Sequence, residues 1–93
     1  MVSSSMTISE IKIYPFDSGK PDSLLRAYAD VNFSNAILIK GFRVIASKSG
    51  GLFVGFPSKK GRDGKFYDLV EFKSSEFQSD LRSAILEAYK VYS

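Results

Sequence analysis

Residues 24–33 read "LLRAYADVNF". From Leu25 onward, Leu25, Ala27, Ala29, Val31 and Phe33 point one way, and Arg26, Tyr28, Asp30 and Asn32 point the other. Strict alternation of this kind belongs to a β-strand with one buried face and one wet face. A helix would scatter the same residues around its circumference. A half-buried strand belongs in an antiparallel sheet that needs covering on one side.

The neighbouring segments extend that sheet. Upstream, "TISEIKIYPF" (7–16) alternates through Ile8, Ile11 and Ile13 and ends at Pro15, which reads as a first strand. Between the two strands, "DSGKPDS" (17–23) has turn composition. Downstream, Ser34-Asn35 is a two-residue turn. The third strand is then "AILIKGFRVIA" (36–46), whose alternation slips near Gly41 and predicts a bulge there. After the loop "SKSGG" comes a short apolar fourth strand, "LFVGF" (52–56), closed by Pro57. The loop "PSKKGRDGK" carries Asp63-Gly64, a type I′ hairpin signal, and leads to a fifth strand, "FYDLVEF" (66–72).

The period then changes from two to 3.6. Ser75 and Gln78 have capping-box spacing, with Ser75 as N-cap. Phe77, Leu81, Ala84, Ile85, Ala88 and Tyr92 share one helical face. The expected fold is α+β, with a five-stranded, mainly antiparallel, meander-like sheet and one C-terminal helix on one face. Residues 1–93 are expected to form a single domain, with 1–6 as a frayed terminus. One helix leaves the second sheet face bare, around Tyr28, while Leu86 lies opposite the helix stripe. Leu86 and Tyr28 are therefore the candidate contacts of an expected homodimer.

Composition excludes several functions. Among 93 residues there is no histidine and no cysteine. Ser-His-Asp and Cys-His nucleophile systems are impossible, and so are imidazole and thiolate zinc sites. Asp63 and Asp68 lie near the basic loop, but no carboxylate pair has a spacing that commits to acid/base work. No catalytic residue, metal ligand, cofactor or small-molecule substrate is assigned, and an enzyme is not expected. No apolar run approaches the roughly 20 residues of a membrane helix, and "MVSSSMT" lacks the features of a signal peptide. The absence of cysteine suits a reducing cytoplasm.

The net charge of +3 is unevenly distributed. Residues 40–65 hold Lys40, Arg43, Lys48, Lys59, Lys60, Arg62 and Lys65 against Asp63 alone, whereas both flanking segments are slightly acidic. Such asymmetry points to a polyanionic partner. The loop is not a nucleotide-binding P-loop, because Gly55 and Gly61 have the wrong spacing and a strand, not a helix, follows. Turn geometry accounts for its glycines and Pro57 but not for four cations on one connection. Lys59, Lys60, Arg62 and Lys65 are the candidate nucleic-acid contacts, with Arg43 and Lys48 adding longer-range charge. Tyr67 is the candidate stacking ring; most of Phe53, Phe56 and Phe66 should be core.

The run "RVIASKSGGLFVGFPSKKGRDGKFYDLV" (43–70) closely resembles the signature of the SpoVG (stage V sporulation protein G, septation protein) family. The matching positions are Arg43-Val44-Ile45, Gly51 through Lys60, Asp63-Gly64, Phe66 and Asp68-Leu69. "ISEIKIYPF", "LLRAYADVNF" and "LRSAILEAYKVY" are similar to the family's first two strands and its C-terminal helix, so the resemblance spans nearly the whole chain. The chain departs from the family pattern in a longer first turn (15–23) and in Glu71-Phe72-Lys73, where many members have His-Pro. The resemblance implies a small homodimeric regulator of septation, sporulation and gene expression that binds DNA, and in some members RNA, site-specifically. Lys59 and Lys60 match the family's basic positions. Arg82 and Lys90 lie on the helix implied to influence site choice. The rival reading is a protein-interaction module without nucleic acid, in which the basic loop meets an acidic partner surface and Leu86 marks the contact.

Overall fold

In the computed structural model, residues 6–92 are described. The frayed terminus expected at 1–6 lies outside them except for Met6. Strand β1 (Ile8–Pro15), β2 (Leu25–Phe33), β3 (Ile37–Ala46) and β4 (Leu52–Gly55) form an antiparallel meander in the order β1-β2-β3-β4. A separate two-stranded ribbon follows, β5 (Ser58–Lys60) with β6 (Phe66–Asp68), and helix α1 (Ser75–Tyr92) is the last described element.

The alternation in β2 sets the layers. Ala27, Ala29, Val31 and Phe33 are fully buried, while Tyr28 remains 39% exposed on the opposite face. Phe42 and Val44 on β3, Val54 on β4, and Leu81 and Ile85 on α1 complete the core. Ala27 and Ala29 share this cluster with Leu81 and Ile85 of the helix, and Ile11 and Ile13 of β1 pack against it. The β2–β3 turn is a type I′ turn. Ser34 and Asn35 have φ of 54° and 53°, and the Ala36 N–H donates to the Phe33 carbonyl at 2.9 Å. The expected bulge is present in β3. Val31 faces Ile39 and Ala29 faces Phe42, so Lys40 and Gly41 on β3 stand against Asp30 alone on β2, with Gly41 at φ 96°.

Two expectations about the elements need correction. The sheet has four strands, not five. The segment expected as the fifth is strand only over Phe66–Asp68, and it pairs with Ser58–Lys60 instead of β4. Pro57, which has no N–H, ends β4, and the hairpin nearest in sequence captures the next strand. Phe72 then turns inward, where its ring meets Phe33 (5.8 Å), Phe56 (5.5 Å) and Phe77 (5.8 Å) between centroids. These inter-ring contacts close the end of the core at the start of the helix, where Phe77 lies.

The helix cap lies one residue early. Ser74, not Ser75, is the N-cap: its Oγ accepts the Phe77 N–H at 3.1 Å, and its carbonyl accepts the Gln78 N–H at 3.0 Å. The buried stripe is also wider than the spacing suggested. Leu86, expected to face solvent, is half-buried and packs on the core with Tyr89, while Tyr92 is 59% exposed. The helix contacts both β1 and β4, so side chains flanking the central stripe are covered as well.

Replacing Ser74 by Ala should lower stability by about 1 kcal/mol, while Ser75→Ala should be near neutral. Ile85→Ala, which empties a fully buried site, should cost about 2–5 kcal/mol. Urea unfolding monitored by circular dichroism measures all three. An equal loss at Ser74 and Ser75 would place the cap elsewhere.

Candidate nucleic-acid interface

The basic loop is built from its root. Arg43 sits opposite Gly55 in the β3–β4 register. Its Nη2 donates to the Phe56 carbonyl at 3.1 Å and reaches the Ser58 hydroxyl at 3.5 Å. A Cβ on Gly55 would come within 2.8 Å of that same nitrogen. Gly55 is therefore the residue that lets a guanidinium cross the strand, and Arg43 staples the corner where β4 becomes β5. Arg43 was expected to lend only longer-range charge; the structure makes it half-buried and a positioning residue for the ribbon. On the helix side, the Arg82 guanidinium lies 5.2 Å above the Phe56 ring, a cation–π contact at the same corner.

The ribbon tip differs from the expected type I′ turn. Arg62 and Asp63 keep ordinary negative φ, and only Gly64, at φ 83°, is left-handed. The Gly64 N–H donates to the Gly61 carbonyl (3.1 Å) and the Gly61 N–H to the Lys65 carbonyl (2.7 Å). That is the three-residue hairpin, a type I turn followed by a left-handed glycine. Asp63 holds it shut: Oδ1 accepts the Lys65 N–H at 3.0 Å, and Oδ2 accepts the Tyr67 hydroxyl. Donation from Tyr67, then from Lys65, holds the Asp63 carboxyl below the usual carboxylate value. The same bond holds the Tyr67 phenol above its ordinary value. The Tyr67 ring lies over Gly61, where a Cβ would meet Cε2 at 2.7 Å. Gly61 is needed for this close approach, not for flexibility.

The tip's acid is thus engaged by an O–H and an N–H. Among the described residues, none of Lys59, Lys60, Arg62 and Lys65 has a carboxylate within ion-pair distance, unlike Lys73, which lies 3.3 Å from Glu71. All four are exposed. The ribbon sorts them by face, because residues directly opposite one another share a side. Lys59 pairs with Tyr67 on one face, and Lys60 with Phe66 on the other. Lys48 is not part of this group: it lies on the β3–β4 turn, at the end of β4 away from the ribbon.

The aromatics divide differently from expectation. Phe56 is in the core, 5.6 Å from Phe42 between ring centroids, but Phe66 is 68% and Phe53 48% exposed. Tyr67, the expected stacking ring, is 53% exposed, yet its hydroxyl is tied to Asp63 and its ring rests on Gly61. The exposure of Phe66 had no local signal, since phenylalanine in an apolar-looking strand reads as core. Among the described residues, no acidic cluster could hold a metal ion, and no helix is long and apolar enough to cross a membrane.

These features define a small α+β domain that presents, beside its sheet, a basic β-ribbon whose four cations make no ion pair among the described residues. Residues 6–91 match the family model for SpoVG. The chain is 35% identical over 83 residues to a protein of Archaeoglobus fulgidus, covering 89% of this chain and 93% of that one. It is 33% identical over 85 residues to one of Bdellovibrio bacteriovorus (91% and 74%) and over 84 residues to one of Borreliella burgdorferi (90% and 86%). All three carry the name "Putative septation protein SpoVG". The chain belongs to the SpoVG family.

Tyr67→Phe should raise the Asp63 pKa towards its ordinary value, because it removes the strongest bond to the carboxylate. In the intact chain the carboxylate is favoured on folding. The support it lends the tip is therefore complete above the ordinary carboxylate pKa and lost as pH falls through the depressed folded value. Carboxyl-carbon NMR titration of Asp63 in both proteins reads the shift; identical midpoints would rule out the Tyr67 bond in solution.

Proposed function

We propose that the protein is a homodimeric nucleic-acid-binding regulator that grips DNA, and RNA, through the cations of the β5–β6 ribbon. The observation that carries this reading is the set of four exposed cations without carboxylate partners on an arm stiffened by the Asp63–Tyr67 bond. Lys59, Lys60 and Lys65 take phosphates as point charges, and the Arg62 fork at the tip takes a phosphate or a base edge. Arg43 acts by holding the ribbon's root, and Lys48 contributes only longer-range attraction. The reading is of a cytoplasmic regulator acting in septation or sporulation, without cofactor or catalytic step; the name carried by its relatives supports the septation part.

The second protomer is placed on the open sheet face. There Tyr14 is 47%, Phe16 40% and Tyr28 39% exposed, with Phe16 edge-on to Tyr28 at 5.8 Å. Leu86, the other expected contact, lies on α1 at the covered face of the sheet and is half-buried against the core.

With ~3–4 phosphate contacts per protomer, the logarithm of the binding constant should fall against the logarithm of salt with a slope of roughly −5 to −7 on duplex DNA. Lys59→Ala with Lys60→Ala should weaken binding on every sequence and flatten the slope by roughly 3–4 for a dimer. A salt series by fluorescence anisotropy tests this; an unchanged affinity and slope would remove the ribbon from the interface. Sedimentation equilibrium should return twice the chain mass, and a monomer at micromolar concentration would reject the dimer.

A further inference from the structure

The ribbon overhangs the open face of the sheet and leaves a cleft of about 330 Å3 between them. Tyr28, Lys40 and Arg43 line it from the sheet; Pro57, Phe66 and Leu69 line it from the ribbon side. Its volume lies at the small end of the roughly 300–1,000 Å3 typical of ligand sites. No carboxylate is among its walls. Phe66 on β6 is 68% exposed and Leu69, just after the strand, 64%. The cations around it have donors to spare. Arg43 uses only Nη2 within the protein, and Lys40 makes no hydrogen bond or ion pair among the described residues. Lys60 shares the ribbon face of Phe66 by register, as Asp68 does, and both stand outside the cleft walls.

An exposed aromatic ring at a cleft with cations on its sheet side and no carboxylate in its walls suits a flat, neutral ring carried on an anionic backbone. We propose that this cleft takes an unpaired base of a single-stranded nucleic acid. The base stacks against Phe66, while Tyr28 stays with the second protomer on the β1 side of the face, and Lys40, Lys60 and the free edge of Arg43 hold the phosphates on either side. A base inside a duplex cannot enter, because both its faces are already stacked and its pairing edge is used. The cleft therefore adds affinity for single strands that the outward cations, Lys59 and Arg62, do not supply. This rests on the nucleic-acid reading above and adds the form of the nucleic acid to it.

The test uses the full chain, one mixed-sequence oligonucleotide as single-stranded DNA, as RNA and as duplex DNA, and fluorescence anisotropy at ~50 mM salt, where phosphate contacts are strong. Phe66→Ala should weaken binding of at least one of the two single strands by about 5- to 150-fold, the range of one stacked base, and leave the duplex within about twofold. Phe66→Tyr, which keeps the ring, should restore it. Loss confined to RNA or to DNA supports the cleft and names the source of the base. Because Phe66 is exposed, the variant should fold, and its circular dichroism melt verifies that. Equal weakening of single strand and duplex overturns the cleft. So does an unchanged single-strand affinity while Lys59→Ala with Lys60→Ala still flattens the salt slope; the ribbon reading then stands. Phe66→Ala that instead halves the mass in sedimentation equilibrium overturns the cleft in favour of a contact between copies. Absence of binding to all three nucleic acids overturns both readings.

Discussion

The Arg43 guanidinium crosses β4 at Gly55 and donates to the Phe56 carbonyl, and the rest of the structure's functional surface depends on that staple. Phe56 is the pivot. Its carbonyl is held by Arg43 on one side, while its ring is held by Phe42, Phe72 and Arg82 on the other. With both ends fixed, Pro57 can end β4 without leaving the next segment free to choose its own direction. An isolated two-stranded hairpin is marginal in water. A three-residue pair such as β5–β6 keeps its place because its root is anchored in the core and its tip is tied by Asp63.

That arrangement separates two tasks that charge counting alone merges. Arg43 and Arg82 carry the same formal charge as Lys59 and Arg62, yet they are used inwardly, on a carbonyl and on a ring. The cations left over stand on an arm tied at root and tip, and they form no ion pair with its two carboxylates, Asp63 and Asp68. Preorganised donors bind phosphate with less ordering cost than flexible ones, so the stiffness of the tip and the charge it carries belong to one design. The exposed ring of Phe66 and the open face around Tyr28 follow from the same geometry, because the ribbon leaves the sheet plane and stands over part of that face without packing onto it.

Much of this was legible along the chain. The alternation of β2 placed Ala27, Ala29, Val31 and Phe33 in the core and Tyr28 outside it. Ser34-Asn35 specified its turn, Gly41 its bulge and Pro57 the end of β4. The C-terminal helix, and Leu81 and Ile85 at its centre, followed from period 3.6. The basic loop and the family resemblance singled out the same residues, Lys59 and Lys60. Other features had no local sign. The fifth strand's partner depends on which strand lies within reach once the chain has turned, and a stretch such as "FYDLVEF" is equally good for either partner. Ser74 and Ser75 are both competent caps, and the choice between them is made where Phe72 and Phe77 dock. Leu86 was misplaced because a helical wheel assumes a flat neighbour, whereas this helix has strands on both flanks.

The sequence by itself determined the elements, their order and the sign of the surface. Those are set by side-chain period, by turn residues of fixed backbone preference and by charge, all of which act within a few residues. Only the tertiary structure decided that four strands form the sheet while two stand apart, that Arg43 and Gly55 make a corner, that Tyr67 is spent on Asp63 and Gly61, and that Phe66 is left facing solvent. Each of these depends on groups distant along the chain meeting at contact distance, and a dispersion contact, a guanidinium–carbonyl bond or a ring over a glycine has no strength until that distance is closed.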